Sequence, residues 1–230
     1  MTETATDKPS SGTPAGESNS AWLRVFAVLY DPVLWVGEVA GMRQRRRALV
    51  AYASGRVVEI GAGTGLNVAH YPEDLDELVL TEPEPGMRRK LAAKVMSRSS
   101  ARIVDSPAER LPFADGSVDT VVSTLVLCTV DDPERALREI ARILRPDGRL
   151  LFIEHVRAGS RFLAAWQDRF LRPWRGFAGG CHCNRDTWDL LRACGFTVEA
   201  SHQTWRGMPA IVHPLIVGSA TVNRGSGTHR

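Results

Sequence analysis

Short apolar runs rich in Val, Ile and Leu recur along the chain, separated by stretches with helical spacing. "RVVEI" (Arg56–Ile60), "ELVLT" (Glu77–Thr81), "ARIV" (Ala101–Val104), "VDTVVST" (Val118–Thr124) and "RLLFIEHV" (Arg149–Val156) read as strands. Their apolar positions are continuous rather than alternating, which marks strands covered on both faces. Helical patterns lie between them at Pro85–Ser97 and Pro133–Leu144. The second opens with Asp132 as N-cap and Pro133 at the first helical position, and the "RPDG" that follows is a turn. "TWDLLRACGF" predicts a further helix stopped by Gly195. "TVEAS" and "AIVHPLIVGSA" form a closing pair of strands, with Pro214 confining the latter to an edge or a bulge. This alternation predicts an α/β fold built on a mostly parallel sheet with helices on both faces. The two ends differ. Residues 1–20 and 223–230 carry too few apolar groups to offset ordering entropy and read as disordered tails.

Composition narrows the picture without changing it. A chain of 230 residues suits one domain with a continuous core. The net charge of +3 is mild, and the basic residues are interspersed with Asp and Glu. No nucleic-acid partner is expected, because such binders concentrate their positive charge. The dense run "RQRRR" (Arg43–Arg47) reads as a solvated helix face, with an anionic-lipid contact as the rival reading. The four cysteines (Cys128, Cys181, Cys183 and Cys194) have no regular framework, and residues 1–20 have no apolar signal core. Both favour a reducing cytoplasm. No apolar run reaches the ~18 residues of a membrane span.

The strongest local signal is "VVEIGAGTGLN" (Val57–Asn67), a buried strand that runs directly into Gly61, Gly63 and Gly65. Glycines there permit a tight turn and let a ligand approach backbone N–H groups. Leu66 occupies the place of the third glycine in the dinucleotide fingerprint, which argues against a nicotinamide-dependent oxidoreductase. Directly after the next strand stands Glu82 in "LTEPEPGM". A carboxylate at that point can accept hydrogen bonds from both hydroxyls of a ribose.

"VEIGAGTG", "TEPEPGM", "ERLPFADGSVDTVVSTLVLCTVDD" and "ILRPDGRLLFIEHV" occur in order over residues 56–156. Together they resemble the S-adenosylmethionine-dependent methyltransferases with a Rossmann-like seven-stranded sheet. The resemblance implies S-adenosylmethionine as cofactor and S-adenosylhomocysteine as product. It implies that Glu59, Gly61, Gly63, Gly65 and Asn67 hold the methionine portion and Glu82, beside Pro83, the ribose. Met87 would pack near the adenine, Ala108 and Glu109 would meet its edge, and Thr124 closes the cofactor set. Many relatives carry an Asp just before the adenine-edge pair, where this chain has Pro107.

Within that family the wording from Asp115 to Val156 is similar to the small-molecule thiol methyltransferases of the animal methyltransferase-like group and their bacterial relatives. Asn67, Tyr71 and Pro72 match that branch, as do Gly180, Cys181, Arg185 and Trp188. The resemblance implies a small, lipophilic thiol or sulfide as acceptor and no obligate protein partner. Phospholipid-amine N-methylation, quinone-like C/O-methylation and a non-catalytic cofactor-binding regulator stay open as rivals. The N-terminus departs from the branch, having a polar tail in place of a hydrophobic anchor and then "AWLRVFAVLYDPVLW". That segment reads as a lid helix, with Tyr30-Asp31 closing over the cofactor; the other reading is core packing by Trp22, Phe26 and Leu29. Trp22, Phe26 and Trp35 with Arg43–Arg47 also suit weak, peripheral contact with a membrane surface. The domain boundaries that follow are 21–54 for N-terminal lid helices, 55–156 for the cofactor half and 157–222 for the acceptor side.

Candidate catalytic groups are His155, Tyr30, Cys128 and Arg185. His155 ends the fifth strand, where ligands of open α/β sheets bind. It is either a base for the acceptor proton or a structural histidine. Cys128 either lines the pocket or is a buried small apolar residue. The adjacent Cys181, His182 and Cys183 suggest a metal, but they lack the two-to-four-residue spacing of zinc ligands. No metal is expected. "GGCHCNRDTW" reads as a substrate-side loop, with Cys181 packed and Arg185 bonding backbone or a polar acceptor group.

Overall fold

The computed structural model describes residues 30–96, 98 and 100–223. The expected tail at 1–20, that at 223–230 apart from Asn223, and the packing of Trp22, Phe26 and Leu29 lie outside the described residues. Seven strands form one sheet in the order β3-β2-β1-β4-β5-β7-β6: β1 Arg56–Ile60, β2 Glu77–Thr81, β3 Ala101–Val104, β4 Val118–Thr124, β5 Leu144–His155, β6 Phe196–Thr204 and β7 Pro214–Val222. β1 to β5 run parallel, and β7 is antiparallel to both its neighbours, β5 and β6. The order reverses between β1 and β4. Open α/β sheets bind ligands beyond the carboxyl ends of the strands at such a switch point.

Alternate side chains of each strand point to opposite faces. On one face Val57, Leu78, Leu80, Val122 and Ile153 pack with Met42, Leu49 and Leu91. Met42 ends the π-helical turn Glu38–Met42, and Leu49 and Leu91 come from the helices Arg43–Val50 and Pro85–Val95. On the other face Val58, Val121 and Phe152 meet the helix Pro133–Ile143 and Leu191 of the helix Thr187–Ala193. The helix Pro133–Ile143 turns Ala136, Leu137, Ile140 and Ile143 inward at helical spacing, all fully buried. Each of its larger apolar side chains contributes on the order of 1.5–3 kcal/mol. Its N-cap is as expected: Asp132 accepts from the Arg135 N–H at 2.8 Å.

Several expectations are corrected. Pro214 does not push its strand to an edge. It is the first residue of β7, where a missing N–H is tolerated, so β7 lies inside the sheet and β6 forms the edge. Gly218 makes that pairing possible, since a Cβ there would sit 2.2 Å from Glu199 O on β6. β5 begins at Leu144, with a register shift around the "RPDG" residues. A helix absent from the sequence reading, Arg161–Phe177, leads into the "GGCHCNRDTW" stretch.

The arginine run is not uniformly solvated. Helical residues 30–37 pass through a π-helical turn, Glu38–Met42, kinked at Gly41 with φ 123°. The kink sets the next helix so that Arg46 turns inward and is 3% exposed. Arg45 bonds Gln203 and the Thr204 carbonyl on β6, while Arg43 and Arg47 remain outside. Among the described residues no helix is long and apolar enough to cross a membrane.

Candidate functional site

The glycine turn after β1 adopts left-handed backbone at Gly61 (φ 54°) and Gly63 (φ 57°). A Cβ at Gly61 would meet Val126 Cγ2 at 2.8 Å, so packing as well as backbone demands glycine there. A Cβ at Gly63 would meet only Gly61 O, at 4.0 Å, and would project beside an open cavity of about 830 Å³. Glu82, directly after β2, closes the turn. Its Oε2 accepts from Gly63 N–H at 2.8 Å and its Oε1 from Glu84 N–H at 2.9 Å. Burial raises its carboxyl above the usual range, opposed by those backbone bonds. Each oxygen keeps a lone pair for a further donor.

Pro83, Met87, Pro107, Ala108 and Glu109 continue the cavity wall from Glu82. Met87 is fixed by the helix cap, in which Glu84 Oε2 accepts from its N–H at 2.7 Å. Glu109 Oε1 accepts from Asp131 N–H at 3.2 Å and ties the Ala108–Glu109 edge to the loop before Asp132. Tyr30, Val33 and Leu34 line the cavity from the N-terminal helix. The phenol of Tyr30 is pushed up to about 12, chiefly by burial, and stays neutral. Asp31 Oδ1 accepts from Thr64 Oγ1 at 2.5 Å and so fastens this helix to the glycine turn.

Glu59, Asn67 and Thr124 do not line the cavity; they stand behind the turn in a buried polar network. Asn67 Nδ2 donates to Glu59 Oε1 at 2.8 Å and to Thr124 Oγ1 at 3.1 Å. Tyr71 donates to Glu59 Oε2 at 2.8 Å. Arg46 Nη1 bonds Asn67 Oδ1 and Thr124 Oγ1, and its Nε donates to Glu38 at 3.0 Å. Glu38 and Arg46, absent from the sequence-predicted site, complete the network. Gly65 is likewise behind the wall, where a Cβ would strike Leu91 Cδ1 at 2.7 Å. These residues position the loop rather than face the cavity.

The far end of the cavity brings together Cys128, His155 and Cys181. Cys128 follows β4 in a loop that turns at Leu125, whose φ is 61°. Fully buried Glu154 holds this loop, accepting from Ser123 Oγ at 2.6 Å and from the N–H groups of Val126, Leu127 and Cys128. His155, next in β5, points to the opposite face and stacks on Trp205 with ring centroids 5.7 Å apart. Leu34, Trp174, Trp205 and Met208 make the surrounding wall largely apolar.

The "GGCHCNRDTW" stretch divides by residue. Cys181 reaches the cavity, whereas Cys183 is buried beside Val212 and burial pushes its thiol up to about 11. The His182 N–H donates to Cys128 O at 2.6 Å. Arg185 does not line the cavity. Its Nη1 donates to the carbonyls of Leu127 and Val130, clamping the Cys128 loop. Trp188 stacks on His202 away from the cavity, with centroids 5.6 Å apart.

The arrangement fits a nucleoside with a charged tail: an open glycine turn, a ribose-height carboxylate, and an apolar edge at Met87 and Ala108. A small acceptor has room beyond it. A family model described as a methyltransferase domain matches residues 58–152. The human thiol S-methyltransferase TMT1B is 36% identical over 179 residues, which span 73% of this chain and 72% of that protein. The malonyl-[acyl-carrier protein] O-methyltransferase of Methylococcus capsulatus is 32% identical over 226 residues, 89% of this chain and 77% of that protein. Among solved structures, a Thermotoga maritima protein described as a SAM-dependent methyltransferase, possible histamine N-methyltransferase, superposes with a TM-score of 0.64 at 23% identity. It covers 88% of this chain and 99% of its own.

Proposed function

The chain belongs to the S-adenosylmethionine-dependent methyltransferases, and from that premise we propose that it methylates the sulfur of a small, lipophilic thiol or sulfide. The observation that carries this reading is the far end of the cavity. It is walled by Leu34, Trp174, Trp205 and Met208 and holds thiol and imidazole groups, with the buried carboxylate Glu154 turned to the other face of the sheet. Such a wall favours a soft, weakly solvated sulfur, whose thiol ionises with less help than an ammonium or a phenol needs. Identity to a thiol S-methyltransferase over most of both chains supports it further. The O-methyltransferase relative marks carboxylate acceptors as the alternative to be tested.

When bound, S-adenosylmethionine supplies an electrophilic methyl group on a sulfonium. Gly61 and Gly63 leave room for the cofactor against the backbone, and Glu82 offers its remaining lone pairs to the ribose hydroxyls. Met87, Ala108 and Glu109 border the adenine space. Tyr30 and Leu34, on a helix fastened through Asp31 to Thr64, act as a lid over the cavity. Lipophilic acceptors also suit the exposed aromatic stripe of Phe162, Trp166 and Phe170 on the helix Arg161–Phe177. That stripe and exposed Trp35 support approach from a membrane surface.

Release of S-adenosylhomocysteine, measured separately with aliphatic thiols, amines, phenols and carboxylates, tests the reading. Turnover is expected with thiols. Turnover confined to another class would overturn the acceptor assignment, and cofactor binding without turnover on any class would favour a regulator.

A further inference from the structure

Cys128, His155 and Cys181 reach one point from three segments: the loop after β4, the end of β5 and the turn after the helix Arg161–Phe177. All three are buried, and all three border the cavity. The two sulfur atoms are 3.7 Å apart. His155 Nδ1 lies 3.4 Å from Cys128 Sγ and 3.5 Å from Cys181 Sγ. A tetrahedral zinc ion, with bonds of about 2.3 Å to sulfur and 2.0–2.1 Å to nitrogen, sets its ligands about 3.8 Å apart for two sulfurs and about 3.5 Å apart for sulfur and nitrogen. The triangle has the dimensions of one face of that tetrahedron.

We propose that Cys128, His155 and Cys181 form a zinc site with three protein ligands and a fourth position open to the cavity, where the acceptor thiol binds. This ligand set is not the contiguous Cys181-His182-Cys183 cluster. It drops His182 and Cys183 and recruits Cys128 from 53 residues away. Two thiolates and a neutral imidazole balance the charge of a divalent ion, which makes a buried site affordable. Sulfur ligands also select zinc over magnesium or calcium.

The ligands are held by contacts that leave little freedom. Glu154 fixes the Cys128 N–H, His182 N–H fixes the Cys128 carbonyl, and Arg185 clamps the carbonyls on either side. Thr187 Oγ1 donates to the His155 carbonyl at 2.9 Å, and Trp205 supports its ring. Fixed outer contacts of this kind orient metal ligands.

Loading the site breaks two S–H bonds, forms two sulfur–metal bonds and sends two protons to solvent, with no change of oxidation state. The acceptor thiol, in the reading proposed above, then loses its proton to solvent as its sulfur takes the fourth position. The sulfur keeps lone pairs for attack on the methyl carbon. Zinc would thereby hold the acceptor sulfur as a thiolate at the fourth position.

The test uses the full chain, expressed without a polyhistidine tag and purified with reductant. Elemental analysis is expected to find about one zinc per chain, and loading the zinc-stripped chain with Co(II) is expected to give thiolate charge-transfer and tetrahedral d–d absorption, which zinc then bleaches. Cys128→Ser and Cys181→Ser are expected to lower zinc affinity at least tenfold, while Cys183→Ser and Cys194→Ser retain it. Wild-type chain with neither zinc uptake nor the Co(II) bands would overturn the proposal without reliance on any variant. So would a Cys128–Cys181 disulfide that forms in preference to metal binding when reductant is removed. Zinc-free chain that methylates thiols at full rate would overturn the metal's role and leave the methyl-transfer reading intact. Zinc held by the trio with no thiol product would support the site and overturn that reading of the acceptor.

Discussion

Asn67 donates to Glu59 at 2.8 Å, both side chains being essentially sealed from solvent. The bond joins the end of β1 to the segment after the glycine turn, so the turn that borders the cavity is anchored from its buried side. Burial pushes the Glu59 carboxyl up from its ordinary 4.5 to about 7, against the lowering effect of Tyr71, Asn67 and Arg46.

This shift has a signed consequence for stability. Between about pH 4.5 and 7 the folded chain keeps a proton on Glu59 that the unfolded chain has lost. Stability therefore falls as pH rises through that window and levels off above it. The Glu59 share is on the order of 3 kcal/mol. Burial raises Glu82 and Glu154 in the same direction. Urea unfolding at pH 5 and pH 8 is expected to show the loss, and Glu59→Gln to reduce it. An equal pH dependence in both proteins would contradict the assignment.

Arg46 and Glu38 form a buried ion pair at 3.0 Å, with the guanidinium also bonded to Asn67 and Thr124. Arg46→Met strands the Glu38 carboxylate and is expected to destabilise the fold by about 3–5 kcal/mol. The double variant Glu38→Gln, Arg46→Met should recover part of that loss. Denaturant titration reads both. A cost below about 1 kcal/mol for Arg46→Met would show that the pair is not structural.

Glu82→Ala is expected to weaken S-adenosylmethionine binding by about 1.5–3 kcal/mol, the value of hydrogen bonds to a charged group. That corresponds to roughly 10–150-fold in Kd by calorimetry. Unchanged affinity would remove Glu82 from the cofactor site.

Much of this was legible along the chain, and the misses have physical reasons. Continuous apolar strands and glycine punctuation are local signals, so β1 to β4, the turn at Gly61–Gly65 and Glu82 fall where they were expected. Which arginine of Arg43–Arg47 turns inward is not local, because it depends on the π-helical kink at Gly41. The helix Arg161–Phe177 escaped notice because Phe162, Trp166 and Phe170 sit on its exposed side and blur the polar–apolar period. The placement of Glu154 beneath the Cys128 loop, and of Cys128 beside Cys181, comes from strand order. No spacing within one segment encodes either.

The acceptor proposed for methyl transfer from S-adenosylmethionine is a thiol sulfur. The most direct measurement offers the enzyme methyl-labelled S-adenosylmethionine with an equimolar mixture of a lipophilic thiol, an amine, a phenol and a carboxylic acid, and identifies the labelled product by mass spectrometry. Label on sulfur is expected, with a matching amount of S-adenosylhomocysteine. Label on nitrogen, oxygen or carbon instead would contradict it.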